Sequence, residues 1–189
     1  MSSNLYLGLV HGPVLNKKGD EVTTSVTNLD IHDIARTCRT FGFKQYFLIT
    51  PILAQHEMVG KILGHWETEQ GTEYNPDRSD ALSFIKMQNS VEETIQKITE
   101  FEGKKPLIAV TGANFKEYDG TPKDLKNRLS VDNTPLLLLF GTGWGLSASV
   151  LNLADFRLVP IFGHNKDGYN HLSVRSAVAI YCDRLWGSL

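Results

Sequence analysis

The stretch Leu136-Leu-Leu-Leu-Phe140-Gly-Thr-Gly-Trp-Gly-Leu146 joins five consecutive apolar residues to three glycines in five positions. An apolar run without polar alternation predicts a strand buried on both faces, as in a parallel sheet covered by helices. Glycine lets the backbone approach a ligand closely, and amides at the start of a helix favour polar or anionic groups. A tight turn would explain one glycine; three together point to a ligand loop.

The cluster does not fit the usual nucleotide loops. A Rossmann fingerprint is G-x-G-x-x-G in the first βαβ unit, with an acidic residue about 20 positions later. Here the spacing is G-x-G-x-G, and too little chain follows Gly145 to build such a sheet downstream. A phosphate loop would need Gly-Lys-Ser/Thr, and Gly145-Leu-Ser-Ala-Ser149 lacks the second glycine of a hydrolase elbow.

Outward from this strand, apolar runs at Asn4–Val10, Tyr46–Thr50, Pro106–Val110 and Phe156–Ile161 predict further strands, with Val22–Val26 a short strand or loop. Ile31, Ile34, Ala35, Cys38 and Phe41 recur at helical spacing over 30–41, with Asn28 or Asp30 as cap and Gly42 as stop. Helices are also expected over 52–66, from the Ser90-Val-Glu-Glu93 capping box to Gly103 with Val91, Ile95, Ile98 and Phe101 on one stripe, from Thr121-Pro122, over 146–153 and over 171–185. The polar stretch Glu67–Ser79 reads as a long surface loop. Alternating strands and helices predict one three-layer α/β domain over 1–189 with a mostly parallel sheet.

Composition narrows the function classes. With 41% hydrophobic and 21% charged residues the 189-residue chain is ordinary globular material. Its formal charge of −2 excludes a strongly cationic nucleic-acid coat, although the halves before and after Ile95 carry about −4 and +2. No apolar run approaches the roughly 18 residues of a membrane helix, and the N-terminus lacks a signal-peptide pattern, so a soluble cytoplasmic protein without a membrane partner is expected. Cys38 and Cys182 form no C-x-x-C or Cys/His cluster, and the six histidines lack metalloprotease spacing, so reduced thiols and no metal are expected.

A glycine loop late in the chain, followed by one strand and a terminal helix, resembles the α/β-knot or SPOUT class of S-adenosylmethionine-dependent RNA methyltransferases. Three segments carry the resemblance: Asn28 to Gly42 with Ile34-Ala-Arg-Thr37, Leu136 to Leu146, and Val159-Pro-Ile-Phe-Gly163 with Tyr169-Asn-His-Leu-Ser-Val174. The runs His11–Asn16, Ala35–Gly42 and Tyr169–Ala177 more closely resemble a small bacterial family of stand-alone knot proteins, sometimes fused to a tRNA guanine-N1 methyltransferase. The sequence departs from the class in lacking an acidic residue in Gly141–Gly145, in Ser173 where Asn is common, and in Asp30 and His32 where Asn and Gly are usual.

The resemblance implies a C-terminal trefoil knot, an exception to the rule that chains do not thread loops. It implies a cofactor site of Thr111, Gly112 and Ala113; Leu139, Phe140, Gly141, Thr142, Gly143 and Gly145; and Ile161, Gly163, His171, Leu172 and Val174. A homodimer, with the site completed at the subunit interface, is implied too. Arg36 matches the class arginine and is the expected catalytic residue, holding a phosphate beside the target ribose; the bland alternative is a solvated helix face paired with Asp33.

His32, Arg36 and Arg39 fall at i, i+4 and i+7, opposite the apolar stripe. Arg36, Arg39 and Lys44, with Lys104, Lys105, Lys123, Lys126 and Arg128, are the candidate RNA-binding rim. The expected activity is methyl transfer to RNA, foremost to a tRNA ribose 2'-hydroxyl. Base methylation by the same fold and a non-catalytic cofactor- or RNA-binding module are the alternatives.

Overall fold

The computed structural model describes residues 4–131, 133–167 and 169–188. Its main sheet has six parallel strands in the order β5-β4-β1-β7-β6-β8, built from β1 (Leu5–Val10), β4 (Gln45–Ile49), β5 (Ile85–Gln88), β6 (Leu107–Val110), β7 (Leu136–Gly141) and β8 (Phe156–Arg157). A two-stranded antiparallel ribbon, β2 (Val14–Leu15) with β3 (Glu21–Val22), follows β1.

β7 lies between β1 and β6, in register from Leu5↔Leu136 to Val10↔Gly141 on one side and from Leu107↔Leu136 on the other. Its side chains alternate between two cores, as the twofold repeat of a strand requires. Leu136, Leu138 and Phe140 meet α1 (Asn28–Thr40), α6 (Pro122–Leu129) and α8 (Val174–Trp186), through residues such as Ile34, Leu125 and Val178. On this face α2 (Leu53–Trp66) and α4 (Pro76–Ser83) contribute Val59 and Leu82. Leu137 and Leu139 face α5 (Val91–Glu102) and α7 (Ala148–Leu151), through Val91, Ile98 and Val150. Helices therefore cover both faces, giving the three expected layers.

Local sequence explains where elements start and stop. Thr27, rather than Asn28 or Asp30, caps α1, its side chain accepting from the Asp30 amide; Asp30 turns its carboxylate back to the Thr27 hydroxyl. Thr121 and Asp124 form a reciprocal capping box with Pro122 in the first helical turn. At α5, Ser90 caps the Glu93 amide, but the Glu93 carboxylate reaches the Asn89 amide instead of completing the box on Ser90. Gly103 ends α5 in the left-handed region at φ 67°. Phe101 stays 74% exposed while buried Thr94 joins the inner face, a correction to the expected stripe.

The expected loop over 67–79 is instead two helices, α3 (Glu69–Tyr74) and α4. Thr68 and Asn75 each accept a bond from an amide in the first turn, and Pro76 pre-sets the second start. Such surface helices need only a narrow apolar edge, so hydrophobic periodicity misses them. β8 is shorter than the expected strand because Pro160 has no amide to continue a ladder, and α8 starts only at Val174, capped by Ser173. Both cysteines are free and buried.

Candidate functional site

All six sheet strands run parallel, so the segments that follow β6 and β7 collect at one edge of the sheet. Open α/β sheets bind ligands at this carboxyl edge. A pocket of about 640 Å³ opens there, walled by the segment 111–115 after β6, by 140–146 after β7, and by Ile161 with 170–174 leading into α8. Ala177 and Tyr181 of α8, Leu15 of the ribbon and Leu151 of α7 complete it.

The glycine loop is shaped by its neighbours. Gly143 (φ +59°) and Gly145 (φ +112°) occupy conformations that L side chains rarely adopt. A Cβ on Gly143 would lie 2.8 Å from the Leu15 carbonyl oxygen. The ribbon grips this loop: the Trp144 amide donates to the Leu15 carbonyl at 2.9 Å and the Leu15 amide to the Gly145 carbonyl at 2.8 Å. The Thr142 hydroxyl bonds the Val10 carbonyl at 3.1 Å and meets the Thr24 hydroxyl at 2.5 Å. Thr24 Oγ1 in turn lies 3.1 Å from Nδ1 of buried His11, so a polar chain ties the loop to the end of β1.

The amides of Gly112, Ala113 and Leu172 donate to no group among the described residues, whereas the Ile161 amide is turned to the Tyr181 hydroxyl. Backbone donors free of protein partners beside the apolar side chains of Phe115, Leu146, Ile161 and Leu172 are what a flat heteroaromatic ligand with polar edges requires. At the mouth, His171 lies between Trp144 and Tyr169, with ring centroids 6.2 and 5.5 Å away. Tyr181 donates its hydroxyl to the Val159 carbonyl at 2.7 Å, and burial holds its pKa up at about 12, so it acts as a neutral donor.

The pocket gathers Thr111, Gly112, Ala113, Phe140, Gly141, Thr142, Gly143, Gly145, Ile161, His171, Leu172 and Val174 from the sequence-based site. Leu139 and Gly163 are not in its lining. Leu139 is fully buried in the sheet, its carbonyl accepting from both the amide and the hydroxyl of Thr111. Asn114, Phe115, Asn170 and Tyr181 were not foreseen. The first three neighbour expected segments, whereas Tyr181 enters two turns into α8 and left no local signal.

The candidate catalytic and RNA-binding residues lie elsewhere. Arg36 is exposed on the outer face of α1, where it lines a groove with His32, Lys61, Trp66 and Arg78. It is not paired with Asp33, whose carboxylate lies 3.4 Å from Arg175 Nε; Arg175 also meets Asp30 at 3.3 Å, joining the first turns of α1 and α8. Arg39 pairs with Asp80 at 2.5 Å and stacks over Phe84. Lys44 pairs with Glu102 at 2.8 Å. Lys44 and Lys105 precede β4 and β6, which puts them at the amino edge of the sheet, opposite the pocket. A single basic rim of Arg36, Arg39, Lys44 and Lys105 around the pocket of the same chain is thus not formed: parallel strands separate residues before them from residues after them.

Among the described residues no group of three or more His, Cys, Asp or Glu is placed to hold a metal ion, and no helix is long and apolar enough to cross a membrane.

Comparison with known proteins agrees with this geometry. The chain is 43% identical over 187 residues, 97% of its length, to a tRNA (guanine-N(1)-)-methyltransferase of Oleidesulfovibrio alaskensis, and 42% identical over 184 residues to one of Nitratidesulfovibrio vulgaris. It spans only 42% of the length of each. An uncharacterised protein of Aquifex aeolicus is 35% identical over 188 residues and is covered to 90%. Among solved structures, a probable methyltransferase from Bordetella pertussis superposes with a TM-score of 0.65 at 13% identity, covering 97% of this chain and 93% of that one. The SpoU methyltransferase AviRb of Streptomyces viridochromogenes, solved with the cofactor AdoMet, superposes at 0.55 with 16% identity, covering 97% of this chain and 57% of that one. These likenesses show the fold, a parallel α/β sheet of the SPOUT methyltransferase kind. Because the matching family model runs through all the pocket-forming segments, from residue 4 to residue 187, the chain belongs to the SAM-dependent RNA methyltransferase family.

Proposed function

We propose that the protein transfers a methyl group from S-adenosylmethionine to a ribose 2'-hydroxyl of tRNA. The observation that carries this reading is the pocket itself: a glycine cradle, unengaged amides and apolar walls at the carboxyl edge, with no carboxylate among its described lining residues. The cradle suits the cofactor because Cβ atoms at Gly143 and Gly141 would run into the Leu15 carbonyl and the Leu146 amide, leaving room only for backbone beside a ligand. Gly112, Ala113, Ile161 and Leu172 would hold the adenosyl group by backbone and apolar contacts. The bound cofactor supplies an electrophilic methyl group.

For such a displacement the protein's part is alignment of the acceptor oxygen, removal of its proton and exclusion of water. Trp144, Tyr169 and His171 frame the mouth where the acceptor nucleotide would enter. Arg36 stays charged and is not a proton acceptor; it anchors the phosphate next to the target ribose. Since Arg36 is absent from the pocket of its own chain, the reading includes a homodimer in which one copy supplies Arg36 to the pocket of the other. It also includes a C-terminal trefoil knot, supported by the return of α8 from the edge strand β8 to pack between α1 and α6.

The names of the two guanine-N1 methyltransferase relatives favour a second reading, methylation of guanine N1. That edge of guanine presents N–H donors, which a selective site would meet with acceptors, above all a carboxylate. Incubation with labelled cofactor and bulk tRNA, followed by nuclease digestion, separates the readings: the label is expected in a 2'-O-methylnucleoside, and label in 1-methylguanosine would refute the ribose assignment. Arg36→Ala is expected to lower kcat/KM about 100-fold while cofactor binding by calorimetry is retained. Full methyl transfer by that variant would remove Arg36 from the mechanism.

A further inference from the structure

On the outer side of α1, away from the cofactor pocket lining, lies a second concavity of about 630 Å³ between α1, α2 and α4. His32 and Arg36 line one wall at i, i+4 on α1; Lys61 and His65 line the other at i, i+4 on α2; Trp66 and Arg78 close one end. The Arg78 guanidinium sits 5.0 Å from the centroid of the Trp66 ring. Stacking fixes the plane of a guanidinium while leaving its edge N–H groups available, the geometry that suits a tetrahedral oxyanion.

Charge is concentrated here. Arg36, Lys61 and Arg78 make no ion pair among the described residues, in contrast to the neighbouring Arg39 and Lys44. The one acidic residue among the described lining residues, Asp33, is engaged by Arg175 at 3.4 Å. The ring of His32 is held edge-on to Trp66, its Nδ1 buried and without a partner among the described residues, and burial together with the charges of Arg78 and Arg36 outweighs Asp33 and lowers its pKa.

We propose that the groove between α1, α2 and α4 binds the phosphodiester backbone of the RNA substrate, with Lys61 and Arg78 as phosphate contacts continuing from Arg36. This rests on the methyltransferase reading above and extends it to residues outside the expected site. Arg36 anchors the phosphate beside the target nucleotide, and the groove takes the phosphates that follow. Trp66 is a positioning residue here: one face carries Arg78, and the rings of His32 and His65 stand nearly perpendicular to it.

The test compares the full chain with Lys61→Ala/Arg78→Ala and with Lys61→Glu, an exposed change safe for folding. Lys86→Ala/Lys97→Ala serves as a control of equal charge change on other surfaces. Anisotropy titrations with labelled tRNA are run without cofactor across a potassium chloride series. The groove double variant is expected to bind about tenfold more weakly or worse and to lose about 1.5 to 2 from the slope of log K against log salt, whereas the control stays near wild type. In turnover, the KM for tRNA is expected to rise far more than kcat falls.

Equal losses in both double variants would mean a general charge effect and overturn the proposal, as would unchanged affinity and slope in the groove variants. A change of oligomeric state in place of RNA affinity would assign the face to a second copy of the chain and overturn it too. Binding of inorganic phosphate at millimolar concentration that is abolished in the groove variants, with no displacement of tRNA from wild type, would reduce it to an anion site and reject the RNA role. If wild type transfers no methyl group but the groove variants still lose RNA binding, the groove stands and only the methyl-transfer reading falls.

Discussion

Acidification should destabilise this protein through one buried imidazole, His11. The residue sits at the end of β1 with no exposed surface; Nδ1 contacts Thr24 Oγ1 at 3.1 Å and Nε2 has no partner among the described residues. Burial outweighs the attraction of the Asp30 carboxylate and pushes its pKa down from 6.5 to about 4. In the folded state His11 is therefore neutral between about pH 4 and 6.5, whereas in the unfolded chain it is protonated below about 6.5. Unfolding takes up a proton in that window, so stability is full above pH 6.5, falls as the pH drops and flattens below about 4. At 1.36 kcal/mol per pKa unit the whole window amounts to ~3 kcal/mol, of which ~2 kcal/mol is lost by pH 5. That is a large share of a typical 5–15 kcal/mol total.

Urea unfolding at pH 7.5 and 5.0, at constant ionic strength, measures this directly in wild type and His11→Gln. Wild type should lose ~2 kcal/mol more than the variant across the interval. His32, also shifted down by burial, contributes equally to both proteins and cancels. Glu102, which its bonds to Lys44 and Tyr6 hold below the ordinary carboxylate range against the opposing effect of burial, titrates below the interval. Equal pH dependence in the two proteins, or an NMR titration of His11 near its ordinary midpoint, would refute the reasoning.

Gly143→Ala forces a Cβ against the Leu15 carbonyl at φ +59°; it should cost about 1–3 kcal/mol in chemical denaturation and weaken cofactor binding about tenfold or more by calorimetry. Gly42→Ala, also at positive φ but with nothing within 4 Å, should cost about 1 kcal/mol and leave cofactor affinity unchanged. Leu138→Ala empties a fully buried position between the sheet and its helices and should cost about 2–5 kcal/mol by guanidinium unfolding. Arg175→Gln strips Asp30, whose side chain is 6% exposed, of its cation and is expected to cost about 1–3 kcal/mol, with the thermal midpoint as readout.

The layered architecture was legible because its signals are local. An apolar run such as 136–140 has one way to avoid water on both faces, and the three-and-four spacing of Ile31, Ile34, Ala35 and Cys38 admits one helical face. The loop glycines were legible for the same reason. α3 and α4 were not, since their polar faces carry no periodicity and only the caps Thr68 and Asn75 mark them. The short β8 shows the reverse case: Phe156–Ile161 reads as a strand, yet after Leu158 its amides bond to a loop and Pro160 has none.

By itself, then, the sequence determined the alternation of the longer strands and helices, the buried strand and the glycine loop, since each depends on side chains close along the chain. Only the tertiary structure decided which cations act together. Parallel strands carried Lys44 and Lys105 to the edge opposite the glycine loop, an ion pair took up Arg39, and the packing of α2 and α4 against α1 brought Lys61 and Arg78 beside Arg36. A charge acts through distance in space, and spacing along the chain does not encode that distance.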